Sequence, residues 1–150
     1  MVMVRFSLLV LLCASRLCAA EFSLTIGNPL AANIPRMKTA GLAVRLENCT
    51  DLSKSSLNGT AEGLVAGMRK SVPLQHAAGA TPGVYAVNYG WPSEGAWVVD
   101  LKATCGNAKA GAIVPFRGAA FLRESIKTFL RFATASEVDT ALNELAGGVK

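Results

Sequence analysis

His76 is the only imidazole in a chain of 150 residues. One histidine can serve one serine or cysteine nucleophile as its base, yet no local pattern ties His76 to such a partner. There is no Gly-x-Ser-x-Gly elbow, no His-Glu-x-x-His helix and no phosphate-cradling glycine loop. Glu62, Glu94 and Asp100 are the acids that a paired-carboxylate hydrolase would need across a cleft, but their spacing alone brings no two of them together. The residues point away from catalysis, with a small hydrolase of unrecognised type kept as an alternative. No catalytic residue is assigned.

Cysteine and tryptophan supply the remaining chemistry. Cys49 and Cys105 stand 56 residues apart. In an oxidising compartment two such cysteines most often pair; two free thiols or a metal-bound pair are the alternatives. Trp97 shares the parity of Val99 and Leu101 and reads as core. Trp91 precedes Pro92 at a turn, which makes it the candidate ligand-binding residue, because an exposed indole face can stack on a sugar or an apolar partner group. Packing over the end of the fold is the competing reading for Trp91. Asn48-Cys49-Thr50 and Asn58-Gly59-Thr60 satisfy the glycosylation acceptor pattern, which matters only in a host that uses it.

The compartment is read from the start of the chain. Arg5 precedes an apolar run over residues 6–14, and Cys18-Ala19-Ala20 offers small residues for cleavage. This is the layout of a secretory signal peptide over residues 1–20. The apolar stretch is shorter than the roughly 20 residues a spanning helix needs, and nothing after residue 20 is longer. Lipidation at Cys13 or Cys18 is the rival; Arg16 and the large residues before Cys13 argue against it. Cleavage leaves 130 residues, the size of one domain. Loss of Arg5 and Arg16 lowers the net charge from +5 to +3. Charges of both signs spread along the chain form no nucleic-acid patch. The protein is expected to be exported, periplasmic or extracellular, and not transmembrane once the leader is removed.

From residue 21 to 118 the pattern is one of short strands and turns. Phe22, Leu24 and Ile26 alternate with polar residues, and Leu42, Val44 and Leu46 do the same. Residues 53–59 read as a polar turn. Residues 60–74 read as two strands or one bent strand, with Gly63 and Gly67 marking irregularities. Residues 75–83 read as a loop. Tyr85, Val87 and Tyr89, then Trp97, Val99, Leu101 and Ala103, look like a hairpin joined across Trp91-Pro92-Ser93-Glu94-Gly95. Residues 111–116 supply a last strand. After residue 118, Leu122, Ile126, Leu130 and Ala133 recur at helical spacing, with Arg123, Lys127 and Arg131 as a basic stripe. Ser136 is the expected cap of a second short helix, which Gly147-Gly148 stops. The fold class predicted is mainly β: an immunoglobulin-like β-sandwich over residues 21–118 with a C-terminal helical segment over 119–150 packed on it. A small β-barrel plus helices is the alternative.

The segment 59–105 resembles the small exported immunoglobulin-like domains of the YtkA and FixH type. The residues that carry this are Gly67-Met68-Arg69-Lys70-Ser71-Val72-Pro73-Leu74, Pro82-Gly83-Val84-Tyr85, and Trp91-Pro92-Ser93-Glu94-Gly95-Ala96-Trp97-Val98-Val99. The resemblance implies an immunoglobulin-like fold, no enzymatic activity and an association with copper handling or oxidase assembly outside the cytoplasm. The sequence departs from that picture, because extracellular copper sites gather several histidines and methionines. After the leader only His76, Met37 and Met68 are left. His76 and Met68 are the metal candidates, if a turn lets them meet, and copper is the only cofactor they suggest. The function expected is an exported, non-catalytic binding or accessory module with a protein partner in the bacterial envelope. A glycan or small-ligand module using Trp91 is the second expectation.

Overall fold

A computed structural model describes residues 20–28 and 40–148. Residues 1–19, which hold all but the last residue of the expected leader, and Met37 lie outside the described residues. Those described form strands β1 (Ser23–Gly27), β2 (Ala40–Glu47), β3 (Ser55–Val65), β4 (Met68–Pro73), β5 (His76–Ala78), β6 (Val84–Asn88), β7 (Ala96–Cys105), β8 (Ala108–Arg117), β9 (Ala120–Phe121) and β10 (Lys127–Phe129), then helix α1 (Ala135–Gly147).

The strands make two antiparallel sheets. One has the order β1-β2-β6-β5; the other runs β10-β8-β7-β3-β4, with β9 paired to β8. With strands lettered in chain order, this is A-B-E-D against C′-C-F-G, the strand order of an immunoglobulin-type sandwich. The core lies between the sheets. Leu24, Ile26, Leu42, Val44, Leu46 and Val87 from one sheet meet Leu57, Trp97, Val99, Leu101, Val114 and Phe116 from the other. Strict alternation explains the placement, since every second side chain of a strand faces the same way.

Several local expectations change. Tyr85 to Tyr89 and Trp97 to Ala103 do not form a hairpin. β6 belongs to the first sheet and β7 to the second, and residues 89–95 cross between them. A hairpin and a sheet-to-sheet crossover share the same short turn signal, and only the long-range partners, β2 and β5 for β6 but β3 and β8 for β7, separate them. Residues 55–59 lie within β3 rather than a turn, paired to β7. The loop over 75–83 contains β5.

The largest change concerns residues 119–133. They form no helix: β9, a 3-10 turn over Arg123–Ser125 and β10 occupy them. Their apolar spacing serves another purpose. Ile126 packs on the main core, while Phe129 and Ala133 join the cluster under α1. The chain can turn there because Gly111 has no side chain: a Cβ would stand 2.6 Å from the Arg131 carbonyl oxygen. Arg123, Lys127 and Arg131 consequently form no stripe. Arg123 lies over the Phe121 ring, Lys127 pairs with Glu144 and Arg131 with Glu137.

The helix that does form is capped by Thr134 rather than Ser136. Thr134 accepts from the Glu137 backbone N–H, and the Glu137 carboxylate accepts from the Thr134 N–H at 2.7 Å. This reciprocal pair satisfies two orphan donors at once. Arg131 holds the Glu137 carboxyl down at about 2, helped by the Thr134 backbone bond. α1 lays Val138, Ala141 and Leu142 on Ala96, Val98 and Ile113, covering part of the outer face of the larger sheet. No described helix is long and apolar enough to cross a membrane.

Candidate functional site

The two cysteines are paired, with Cα atoms 5.7 Å apart. Cys49 follows β2 of one sheet and Cys105 ends β7 of the other, so the bridge ties the sheets at one end of the sandwich.

Trp91 stands at the core's edge as a plug, not on the surface. It is 4 % exposed and packs edge-on to Tyr89 at 4.7 Å and to Phe116 at 4.9 Å. That leaves no exposed stacking face and agrees with the other reading of Trp91, packing over the end of the fold. The physical reason is the crossover: residues 89–95 close the end of the sandwich, and the largest side chain fills the gap. The Trp91 Nε1–H and the Tyr89 hydroxyl are buried there without a protein partner.

His76 opens β5, an edge strand, with its ring exposed and edge-on to Tyr85 at 5.6 Å. Met68 opens β4 on the other sheet and is 61 % exposed, not a core residue. Five residue steps of extended β4 place Met68 about 17 Å from Pro73, beyond which the chain passes to His76. The two candidates are thus at opposite ends of β4 and share no site. Among the described residues no group of three or more His, Cys, Asp or Glu could hold a metal ion.

The residues that do converge lie on the outer face of the larger sheet, along β4 and β3. Glu62 is the hub. It accepts from the Ser71 hydroxyl at 2.9 Å, from Thr60 at 2.7 Å and from Arg69 at 3.3 Å. Arg69 reaches on to Asp139 of α1, linking β4 to the helix. Beside them Asp100 is 6 % exposed, with Lys102 Nζ 3.7 Å from one oxygen and its other oxygen unpartnered. Burial pushes the Asp100 carboxyl above its ordinary range; Lys102 pulls it back, and the Glu62 charge pushes it further up. Of the three acids singled out in the sequence, two are neighbours in this way, while Glu94 lies in the crossover, where its carbonyl accepts the Trp97 indole N–H at 2.7 Å. Asn48 donates its amide to the Glu21 carbonyl, and Asn58 is exposed on β3.

β4 itself was not legible as an open edge of its sheet. Val65 and Met68 close its hairpin with β3 across Ala66 and Gly67, both at positive φ (49° and 77°). That is a type I′ turn, whose flanking residues form a hydrogen-bonded pair. Counting from it, Met68, Lys70 and Val72 bond to β3, whereas Arg69, Ser71 and Pro73 turn their backbone groups outward. Pro73, lacking an N–H, thus sits where no ladder donor is lost. β4 is a terminal strand of its sheet, and the Lys70 ammonium has no salt-bridge partner among the described residues.

No protein-family model, no characterised protein and no solved structure matches this chain.

Proposed function

We propose that this protein is an exported, non-catalytic binding module that takes an extended segment of a partner protein along β4. The observation that carries the reading is the outward row of backbone groups on β4, at the Arg69 and Ser71 N–H and the carbonyls of Arg69, Ser71 and Pro73. A partner strand adding to such an edge gains main-chain hydrogen bonds, and alternate side chains set specificity. Met68 offers an apolar contact at one end of the edge, and Lys70 favours an acidic residue opposite it. The network of Glu62, Ser71, Arg69 and Asp139 holds β4 straight and keyed to α1. Export is supported by the leader pattern and by the inter-sheet disulfide. Kinship with the exported YtkA and FixH-type domains belongs to the same proposal and rests on the residue pattern of segment 59–105.

The test exploits the strand's two-sidedness. Ser71→Pro deletes an outward N–H and leaves the ladder to β3 intact, while Ser71→Ala removes only the hydroxyl. With both variants shown folded by circular dichroism, Ser71→Pro is expected to abolish capture of the envelope partner that wild type and Ser71→Ala retain. Equal capture by all three would sink the reading.

A further inference from the structure

A second surface lies away from β4, where the C-terminal half of α1 stands against the end of β8 and the segment that follows it. A cleft of about 280 Å³ opens there. Its apolar lining comes from Pro115 and Leu122 on one wall and Ala141 and Leu145 of α1 on the other. Pro115 is outward-facing on β8, because Phe116 beside it points into the core.

The charges around this cleft are of both signs. Arg117 lies in the wall at the end of β8, exposed and without an ion-pair partner among the described residues. Lys127 of β10 and Glu144 of α1 both line the cleft and meet at 3.6 Å, with side chains 48 % and 66 % exposed. At that exposure the pair is worth little and is readily exchanged. α1 also ends here, with Gly148 as its last cap and no basic residue in the last turn. The carbonyl end of a helix carries partial negative charge, left here to be met from outside.

We propose that this cleft binds a zwitterionic α-amino acid with an apolar side chain. Its carboxylate takes Arg117 and Lys127. Its ammonium takes Glu144 and the carbonyl end of α1. Its side chain lies on Leu122, Leu145 and Pro115. Binding replaces the exposed Lys127–Glu144 pair by two and gives Arg117 the partner it lacks. A purely anionic ligand would leave the carbonyl end of α1 unmet, and a purely cationic one would leave Arg117 unpaired. The volume suits a single residue rather than a long chain or a folded partner.

The probe set is leucine, N-acetyl-leucine, leucinamide and hexanoate, titrated into the purified protein by calorimetry, with amide shifts followed by NMR. Leucine is expected to bind and to move the amides of Ser125, Leu145 and Gly148. N-acetyl-leucine and leucinamide, each lacking one charge, are expected to bind at least about tenfold more weakly, as is hexanoate. Arg117→Gln and Glu144→Gln, both on exposed side chains, are each expected to weaken leucine by a similar factor. Absence of leucine binding overturns the proposal. So does N-acetyl-leucine or hexanoate binding as well as leucine, since the cleft would then read a carboxylate alone. Shifts confined to β4 would likewise overturn it. Ser71→Pro leaves leucine binding unchanged, so this site and the β4 reading stand or fall separately.

Discussion

At the scale of single residues, Asp100 is the side chain least at ease. Its neighbours on the outer face of β7 are Val98, buried under α1, and Lys102, which reaches back to one of its oxygens. The other oxygen has no partner. A buried acceptor left without a donor costs about 1–3 kcal/mol, and burial accordingly raises the carboxyl's pKa from 3.8. Between the ordinary pKa and the raised one the folded protein holds a proton that the unfolded chain has lost, so stability falls as pH rises through that window. Glu137 acts in the opposite sense at lower pH, where its depressed carboxyl gives up stability only as the pH falls toward about 2. Asp100→Asn is expected to flatten the decline in urea midpoint as pH rises above the ordinary aspartate range. An unchanged slope in the variant would assign that decline to another group. Asp100 was visible in the sequence only as one acid among several. Its parity placed it on the outer face, but nothing local announced a helix above that face.

At the scale of elements, alternation was legible and long-range pairing was not. Leu42, Val44 and Leu46, or Trp97, Val99 and Leu101, each announce a strand and its buried face, and both sets line the core. Residues 119–133 misled because Leu122, Ile126 and Leu130 sit at helical spacing while serving separate surfaces; Leu130 is 56 % exposed. The signal that could have corrected this is Gly111, whose missing Cβ admits the Arg131 to Ala133 backbone, but only the fold shows which segment approaches it. Trp97 and Gly63 form a similar pair: they are opposite in register, and a Cβ on Gly63 would stand 2.6 Å from the indole. α1 was legible in its apolar face and its glycine stop, though its cap lies two residues earlier than Ser136. Its hold on the sheet rests on Val138, Ala141 and above all Leu142, 1 % exposed. Truncating a buried leucine costs about 2–5 kcal/mol, depending on how far the site collapses. Leu142→Ala is expected to lower stability within that range in urea denaturation and to speed hydrogen exchange along α1. A loss under about 0.5 kcal/mol, the scale of surface substitutions, would mean that α1 is not docked as described.

At the scale of the whole molecule, the sandwich is closed by different means at its two ends. Trp91, Tyr89, Phe116 and Phe121 form a chain of ring contacts where residues 89–95 cross between the sheets. At the other end the Cys49–Cys105 bridge ties the β2–β3 connection to the β7–β8 hairpin, beside the Gly106 N–H to Lys54 carbonyl bond at 3.1 Å. The aromatic end is held by packing, the other end by the covalent link. A loop of this length removes denatured-state entropy worth about 4 kcal/mol, a large share of the roughly 5–15 kcal/mol by which domains are stable. The Cys49→Ala, Cys105→Ala double variant is therefore expected to lose about 4 kcal/mol in denaturant unfolding. Its losses should also be localised. Amides of Ser55 and Gly106 are expected to exchange faster, while the Trp97 indole N–H, bonded to the Glu94 carbonyl at 2.7 Å, keeps its protection. Uniform loss of protection at both ends would show instead that the sheets part as one unit once the bridge is gone.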